Sequence, residues 1–305
     1  MEMKGSLLEQ QKNKEVVIVD VWANNLEFEF HRMASAAPYF PFVSIDTEFP
    51  GVVFRSTAAD KAKSTSRSME NYRVLKANVD SLHLIQLGIT LTDYYGNLPD
   101  FGGSCGFVWQ FNFKEFNVSS DPHSADSIDL LRQQGIDFEK NNKEGVDSTQ
   151  FSELLCKSGL VVCNTFLFRW ITFHGAYDFA YLLKVITRRQ LPDDLSGFYN
   201  LLSLYFGTRV YDVKQMIKFC DGVFGGLERV AQTYGVERIG NAHCAGSDSL
   251  LTWGVFQKIL QNTNGYAKGA GSLFGLDNDS KPVPLIRKMM PVPSLHLVGG
   301  FPSSI

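Results

Sequence analysis

Four carboxylates lie in stretches where an apolar strand or helix should carry no charge: Asp46 and Glu48 in "FVSIDTEFPG", Asp178 in "ITFHGAYDFAYLLK", and Asp248 in "NAHCAGSDSLLTWGVF". Acids fixed on a hydrophobic framework cost free energy unless positive charge meets them. Whatever this chain folds into must therefore carry these distant segments to a common counter-charge. The expected counter-charge is a pair of divalent metal ions.

The bulk properties set few other limits. At 305 residues the chain is long enough for one large domain or two small ones. A domain of this size buries ~75% of its unfolded surface and needs no covalent staples. A hydrophobic content of 44% and a net charge of −3 are ordinary for a globular protein, with no basic excess to advertise nucleic acid. The five cysteines form no C-x-x-C pair and leave one over, which suits free thiols in a reducing compartment. The start of the chain lacks the apolar core of a signal peptide. The most apolar stretch, "GLVVCNTFLFRWITF", is interrupted by Arg169 and is too short to cross a bilayer. A cytoplasmic and nuclear protein with no membrane contact is expected.

Periodicity predicts the organisation. Residues 1–15 read as a flexible start. The spacing of Val21, Trp22, Asn25, Leu26 and Phe30 in "VVIVDVWANNLEFEFHRMASAA" predicts a first helix ending before Pro38. "PFVSIDTEF" is a buried strand, 56–70 a mobile polar loop, and "LHLIQLGITLTD" and "GFVWQFNF" two further strands, so an antiparallel block is expected. Then come two capped helices ("SADSIDLLRQQG", "DSTQFSELLCKSG") and a strand, "RWITF", followed by the helices "AYDFAYLLKVITRR" and "DDLSGFYNLLSLYFG". The strand "TRVYDV" leads into three closing helical runs: "KQMIKFC", "GGLERVAQTYG" and "SDSLLTWGVFQKILQ". Antiparallel strands followed by β–α units predict an α/β fold, a mixed sheet flanked by helices in a ribonuclease H-like layout. The domain should span 16–261, and the Gly- and Pro-rich tail over 262–305 should be largely disordered.

Each acidic position has a local logic. Asp46 and Glu48 are two apart on a strand, so both point to one face, near the end set by Pro50 and Gly51. Taken singly, they read equally well as solvated acids at a strand end. Asp178 falls at a strand-to-helix turn, where an aspartate also complements the helix dipole by ~0.3–1 kcal/mol. Asp248 opens a helix with Ser247 as a candidate cap. His243 is five residues earlier, about 140° away on a helical wheel. It therefore belongs to the preceding loop, where Gly246 permits the bend. An imidazole there suits a general base near neutral pH, and a surface histidine is the plainer alternative. Asp212 reads as a helix cap.

Together the segments resemble the DEDDh exonucleases. The motifs are D-x-E on a strand, aromatic-Asp at a helix start (Tyr177–Asp178), and H-x4-D (His243 to Asp248). The stretches "DTEFPGVVFR", "NVDSLHLIQLGITL", "WQFNF", "YDVK", "GGLERVA" and "AGSDSLLT" are similar more closely to the Caf/Pop-type deadenylases, the exonuclease subunit of the Ccr–Not complex, and "TFHGAYDFAYLLK" has a plant-like form. The resemblance covers about Val19 to Leu260. It implies metal-dependent 3′→5′ removal of poly(A) from messenger RNA with release of 5′-AMP. It also implies two Mg²⁺ or Mn²⁺ ions, one held by Asp46, Glu48 and Asp248 and the second by Asp46 and Asp178, with His243 as base. Implied partners are the poly(A) 3′ end and Ccr–Not subunits, including the scaffold and the second deadenylase. On such a substrate Phe49 could stack on a base or else pack in the core, and Arg73, Lys76, Lys184 and Lys214 could meet the RNA backbone or simply face solvent. Two other readings stay open: a non-catalytic scaffold of an RNA-decay assembly, and a nuclease acting on DNA ends.

Overall fold

The computed structural model describes residues 14–57, 66–162, 165–263 and 270–277. A six-stranded mixed sheet, in the order β1-β4-β3-β2-β5-β6, forms its centre. The strands are β1 (Glu15–Val21), β2 (Phe42–Glu48), β3 (Gln86–Thr92), β4 (Cys105–Asn112), β5 (Arg169–Thr172) and β6 (Val210–Asp212). β2, β3 and β4 are antiparallel neighbours. β1 joins β4 in parallel, and β5 and β6 extend the other edge in parallel. This is the expected ribonuclease H-like architecture.

Alternation along β2 divides its side chains between two cores. Val43 and Ile45 enter a large core shared with α1 (Leu26–Ala36), α2 (Arg67–Ser81), α5 (Ser148–Lys157), α6 (Ala176–Thr187) and α7 (Leu195–Phe206). Phe42 enters a second core on the opposite face, built with α9 (Leu227–Tyr234) and α10 (Ala245–Asn262). Asp46 and Glu48 keep Phe42's parity, so they lie on the α10 face. A satellite cluster of Ile85, Phe116, Ile128, Leu131, Ile136 and Phe138 fills the space beneath α3 (Ala125–Gln133) and α4 (Phe138–Glu144).

The structure corrects several expectations. The first helix begins only at Leu26, and "EVVIVDV" before it is β1, whose β-branched residues suit an extended edge strand. The polar segment at 56–70 does not stay a loop throughout. Ser66 accepts from the Met69 N–H at 3.2 Å and opens α2, so a helix separates β2 from β3. Residues 58–65 lie outside the described part. α4 was not anticipated. "KQMIKFC" is only a short turn of helix, α8 (Val213–Met216), continuing as a 3-10 turn over Ile217–Phe219. α10 starts at Ala245 with no side-chain cap. Ser247 is no cap, its hydroxyl donating instead to the Ile239 carbonyl at 2.6 Å.

The tail expectation also fails in part. Residues 270–277 form a strap packed on the domain, with Leu273 and Leu276 in the large core. The strap is pinned by Gly271 N–H to Val210 O at 2.8 Å and by Asn71 Nδ2 to Gly275 O at 2.7 Å. Residues 1–13, 264–269 and 278–305, where the flexible start and most of the tail were expected, lie outside the described part.

The docking of α10 positions the site. Gly88 pairs with Asp46 across the β2–β3 ladder, and a Cβ added there would lie 1.9 Å from the Ala245 carbonyl oxygen. α10's first turn therefore rests directly on bare backbone. Its N–H groups, lacking a cap of their own, donate to sheet side chains: Ala245 to Gln86 Oε1 at 2.9 Å and Gly246 to Gln110 Oε1 at 3.0 Å. Those amides are steadied in turn. Gln86 donates to Asn112 at 2.8 Å and Gln110 to Asp20 at 2.9 Å, while Asn112 donates to Asp20 at 3.1 Å. We predict that Gly88→Ala forces α10 off the sheet, costing ~1–3 kcal/mol or more. A thermal melt should show a drop of several degrees in Tm, and a value within about one degree of wild type would contradict the close docking.

Candidate active site

Three segments converge at the ends of β2 and β5. Asp46 and Glu48 project from the last turn of alternation in β2. Asp178 enters from the first turn of α6 and is buried. Its Oδ2 accepts the Thr172 hydroxyl at 2.6 Å and its Oδ1 accepts the Thr47 hydroxyl, so the residue between the two β2 acids orients the third. The preceding turn is fixed by Asp212, whose buried carboxylate accepts the N–H groups of His174 (2.8 Å), Gly175 (3.1 Å), Lys214 (2.9 Å) and Phe274 (2.9 Å). The helix-cap reading of Asp212 holds, and it understates the residue.

Asp248 sits in the first turn of α10, also buried. His243 lies on the loop before it, and its own backbone makes the bend with φ +56. Gly246 serves differently from the expectation: it lies inside the helix, where a Cβ would come 2.7 Å from Ile18 Cγ2. The His243 N–H donates to Asp248 Oδ2 at 3.3 Å. Asp248 Oδ1 accepts from Arg238, which also donates to Ser247 Oγ at 2.9 Å and to Glu228 at 3.0 Å.

Glu48, His243 and Asp248 each present one ligand atom, and these atoms all lie within 4.8 Å of one another. Asp46 is outside this tightest group but inside the same field. Burial pushes its carboxyl well above the usual range, with further repulsion from Asp178, then Asp248 and Glu48, opposed by Arg238. Burial, followed by repulsion from Asp248 and Asp178, pushes Glu48 up to about 8. Burial likewise lifts Asp178 to about 7 against the pull of the two threonine hydroxyls. Acids held this far up are poised to exchange protons for a cation, and hard carboxylate oxygens with one imidazole suit a divalent ion of the Mg²⁺ or Mn²⁺ kind.

The five expected site residues thus share one neighbourhood, and the other candidates find different duties. Phe49 stacks on Tyr177, centroids 4.9 Å apart at 16°, and tilts against Tyr181, so much of its ring is used in packing. Lys184 donates to three carbonyls, of Val79, Asp80 and Leu82, at 2.8, 3.2 and 2.9 Å. Lys76 pairs with Asp80 at 2.7 Å, and Lys214 donates to the Gly225 carbonyl. These three lysines hold the fold together. Arg73 lines a separate hollow with Arg55 and Glu70. Arg238, Thr47 and Thr172 were missed. Thr47 was legible, since the residue between two site acids on a strand faces the neighbouring core.

The profile of a family described as CAF1 family ribonuclease matches residues 21–155. The chain is 46% identical over 272 residues to a probable CCR4-associated factor 1 homolog 10 of Arabidopsis thaliana, covering 88% of this chain and 96% of that protein. It is 43% identical over 242 residues to the poly(A) ribonuclease pop2 of Schizosaccharomyces pombe, covering 79% and 69% respectively. The S. pombe Pop2p structure with Mg²⁺ and Mn²⁺ bound superposes with a TM-score of 0.75 at 41% identity, over 85% of this chain and 99% of that one. A yeast CAF1 structure, co-crystallised with the NOT1 MIF4G domain, gives a TM-score of 0.66 at 32% identity, over 85% and 93%.

The raised carboxyls predict how stability responds to pH. Without metal, the folded chain keeps protons on Asp46, Glu48 and Asp178 that the unfolded chain releases above its ordinary carboxylate range. Their contribution is therefore complete below about pH 4 and is lost as pH rises toward about 8. Asp100 and Asp147, held low by Lys14 and Lys114, titrate below this window. In EDTA, Tm should fall between about pH 5 and 8, more gently in Glu48→Gln, and Mg²⁺ or Mn²⁺ should remove the decline. An equal slope in wild type and Glu48→Gln would detach it from this cluster.

Proposed function

This chain belongs to the CAF1 family of ribonucleases, and from that premise we infer that it is a poly(A)-specific exoribonuclease, a deadenylase that trims messenger RNA from its 3′ end and releases 5′-AMP. One observation carries the reading. Carboxylates and an imidazole from β2, the α6 turn and the α10 loop, far apart in sequence, come together with ligand atoms of three of them inside 4.8 Å.

We assign two divalent cations to the site. Asp46, Glu48 and Asp248 would hold one; Asp46 and Asp178 would hold the other. When bound, such ions clamp the scissile phosphate and stabilise the leaving 3′-oxygen. The chain's own groups do the rest. His243, exposed on its loop, has an imidazole nitrogen in reach of solvent to take the proton from the attacking water. Thr47 and Thr172 keep the Asp178 carboxylate in one rotamer. Arg238, bonded to Asp248 Oδ1, offsets part of the negative charge that raises Asp46.

The yeast relative seated on a NOT1 MIF4G domain supports docking of this chain on a scaffold of that kind. Partnership with the second deadenylase of a Ccr–Not complex, and presence in both cytoplasm and nucleus, are further parts of the proposal. A purely architectural role is disfavoured, because all five motif residues are intact and share one neighbourhood.

The test is trimming of 5′-labelled oligo(A) on a sequencing gel. With Mg²⁺ the purified chain should shorten the oligomer stepwise, EDTA should stop it, and a DNA oligomer of equal length should be a poorer substrate. Asp46→Ala or Asp248→Ala should abolish trimming while the circular dichroism spectrum is preserved, and full activity in either would refute the metal assignment. His243→Ala should cost ~10²–10⁴ in rate and flatten the acidic limb of the pH profile. An unchanged limb would assign the proton to another group.

A further inference from the structure

Beside the carboxylates lies a cavity of about 700 Å³, within the ~300–1,000 Å³ range of small-molecule sites. Its walls come from five segments: the loop after β2 (Val52), the start of α2 (Arg67, Asn71), the turn entering α6 (His174, Tyr177), the 3-10 turn (Lys218) and the strap (Phe274). Its place is informative. Tyr177 immediately precedes Asp178 in the chain and His174 lies four residues before it, yet Asp46, Glu48, Asp178 and Asp248 are not among the lining residues. The cavity thus abuts the chemistry without containing it.

Two cationic and several aromatic side chains stand out in its lining. Arg67 and Lys218, both exposed, bring positive charge from two different walls of a protein whose net charge is −3. Aromatic rings, neutral polar groups and aliphatic side chains such as Val52 and Leu276 complete the lining. The Phe274 ring meets the His174 ring edge-on at 4.9 Å, with the Lys218 ammonium 4.8 Å from its centroid. Burial pushes the Tyr177 hydroxyl up to about 12, so it remains a donor at neutral pH. Asp277 is the acid in the wall. Its Oδ1 accepts the Tyr199 hydroxyl at 2.9 Å, and burial raises its pKa. Cations alternating with stacking faces are what non-base-reading proteins use to hold single strands.

The cavity is also pre-organised. Asp212 holds the strap through Phe274 N–H and the α6 turn through His174 and Gly175 N–H, so one carboxylate fixes both the far wall and the turn that presents Asp178.

We propose that this cavity binds the retained nucleotides of the RNA, those on the 5′ side of the bond being cut, with Arg67 and Lys218 meeting phosphates and Phe274 packing against a base or ribose. The proposal rests on the exoribonuclease reading for the identity of the ligand. The departing nucleotide must place its phosphate at the carboxylates, and the chain continuing past that phosphate enters the adjoining space.

The test uses the full chain in an Asp46→Ala background with Mg²⁺, so that a fluorescent octamer of adenylate is not degraded while its anisotropy is read. Arg67→Glu with Lys218→Glu should raise the octamer Kd by about tenfold or more and flatten its salt dependence by roughly 0.7 log units per lost phosphate contact. Phe274→Ala should raise it about fivefold or more. AMP, which carries only the departing nucleotide, is the second ligand, read as a competitor of trimming in the Asp46 form. The ratio of AMP inhibition constant to octamer KM should fall in each variant, with Tm checked to exclude unfolding. An octamer Kd unaffected by the charge reversals would overturn the subsite while leaving the nuclease reading intact. A parallel rise in the AMP constant would overturn it too, by giving the cavity to the departing nucleotide. Octamer binding that depends on Arg67 and Lys218 in a chain that trims nothing would keep the subsite and sink the catalytic reading.

Discussion

The seating of α10 on the sheet at Gly88 is the contact on which the rest depends. A helix can approach a strand this closely only where the strand offers no side chain, and the first N–H groups of α10 find acceptors only because Gln86 and Gln110 supply them. That approach decides where Asp248 sits relative to Asp46, which pairs with Gly88 on the neighbouring strand. The buried amide chain running back through Asn112 to Asp20 gives the seat a unique geometry, since every polar member has a partner.

The same geometry loads the site with repulsion. Several acids withdrawn from water raise one another's affinity for protons, and the fold tolerates this because other groups pull the opposite way: Arg238 at Asp248, and two threonine hydroxyls at Asp178. The stability of the framework thus comes from the two apolar cores, while the cluster at their boundary is held in a high-energy arrangement that a cation relieves. Division of labour of this kind explains why the acids occur on otherwise apolar segments.

Much of this was legible in the letters. β2, β3 and β4 announced themselves by alternation and β-branched or aromatic content, and α6 and α10 by apolar spacing. The acids at 46, 48, 178 and 248 stood out because charge interrupted those patterns. The failures have physical reasons. β1 was absorbed into a helix because apolar residues in "VVIVDVW" satisfy helical and extended spacing alike, and its pairing with β4 is a long-range fact. α2 hid behind a polar sequence, since its buried residues are Ser68, Tyr72, Leu75, Asn78 and Val79, of which two are polar. Gln86, Gln110 and Arg238 act through partners distant in sequence, and no local pattern marks a glutamine that caps another element's helix. The lysines at 76, 184 and 214 showed the opposite error: a charged side chain reads as surface until its carbonyl partners are seen.

The strap has a practical side. Apolar periodicity runs out near Asn262, and a boundary drawn there would look natural. Yet Leu273 and Leu276 fill the large core, and Phe274 supplies one of the four N–H groups that neutralise the buried Asp212 carboxylate. A shortened protein ending at 261 would leave a hydrophobic gap beside α7 and an under-solvated carboxylate under the α6 turn. A shortened protein must therefore extend at least through Asp277, and an affinity tag belongs beyond that residue.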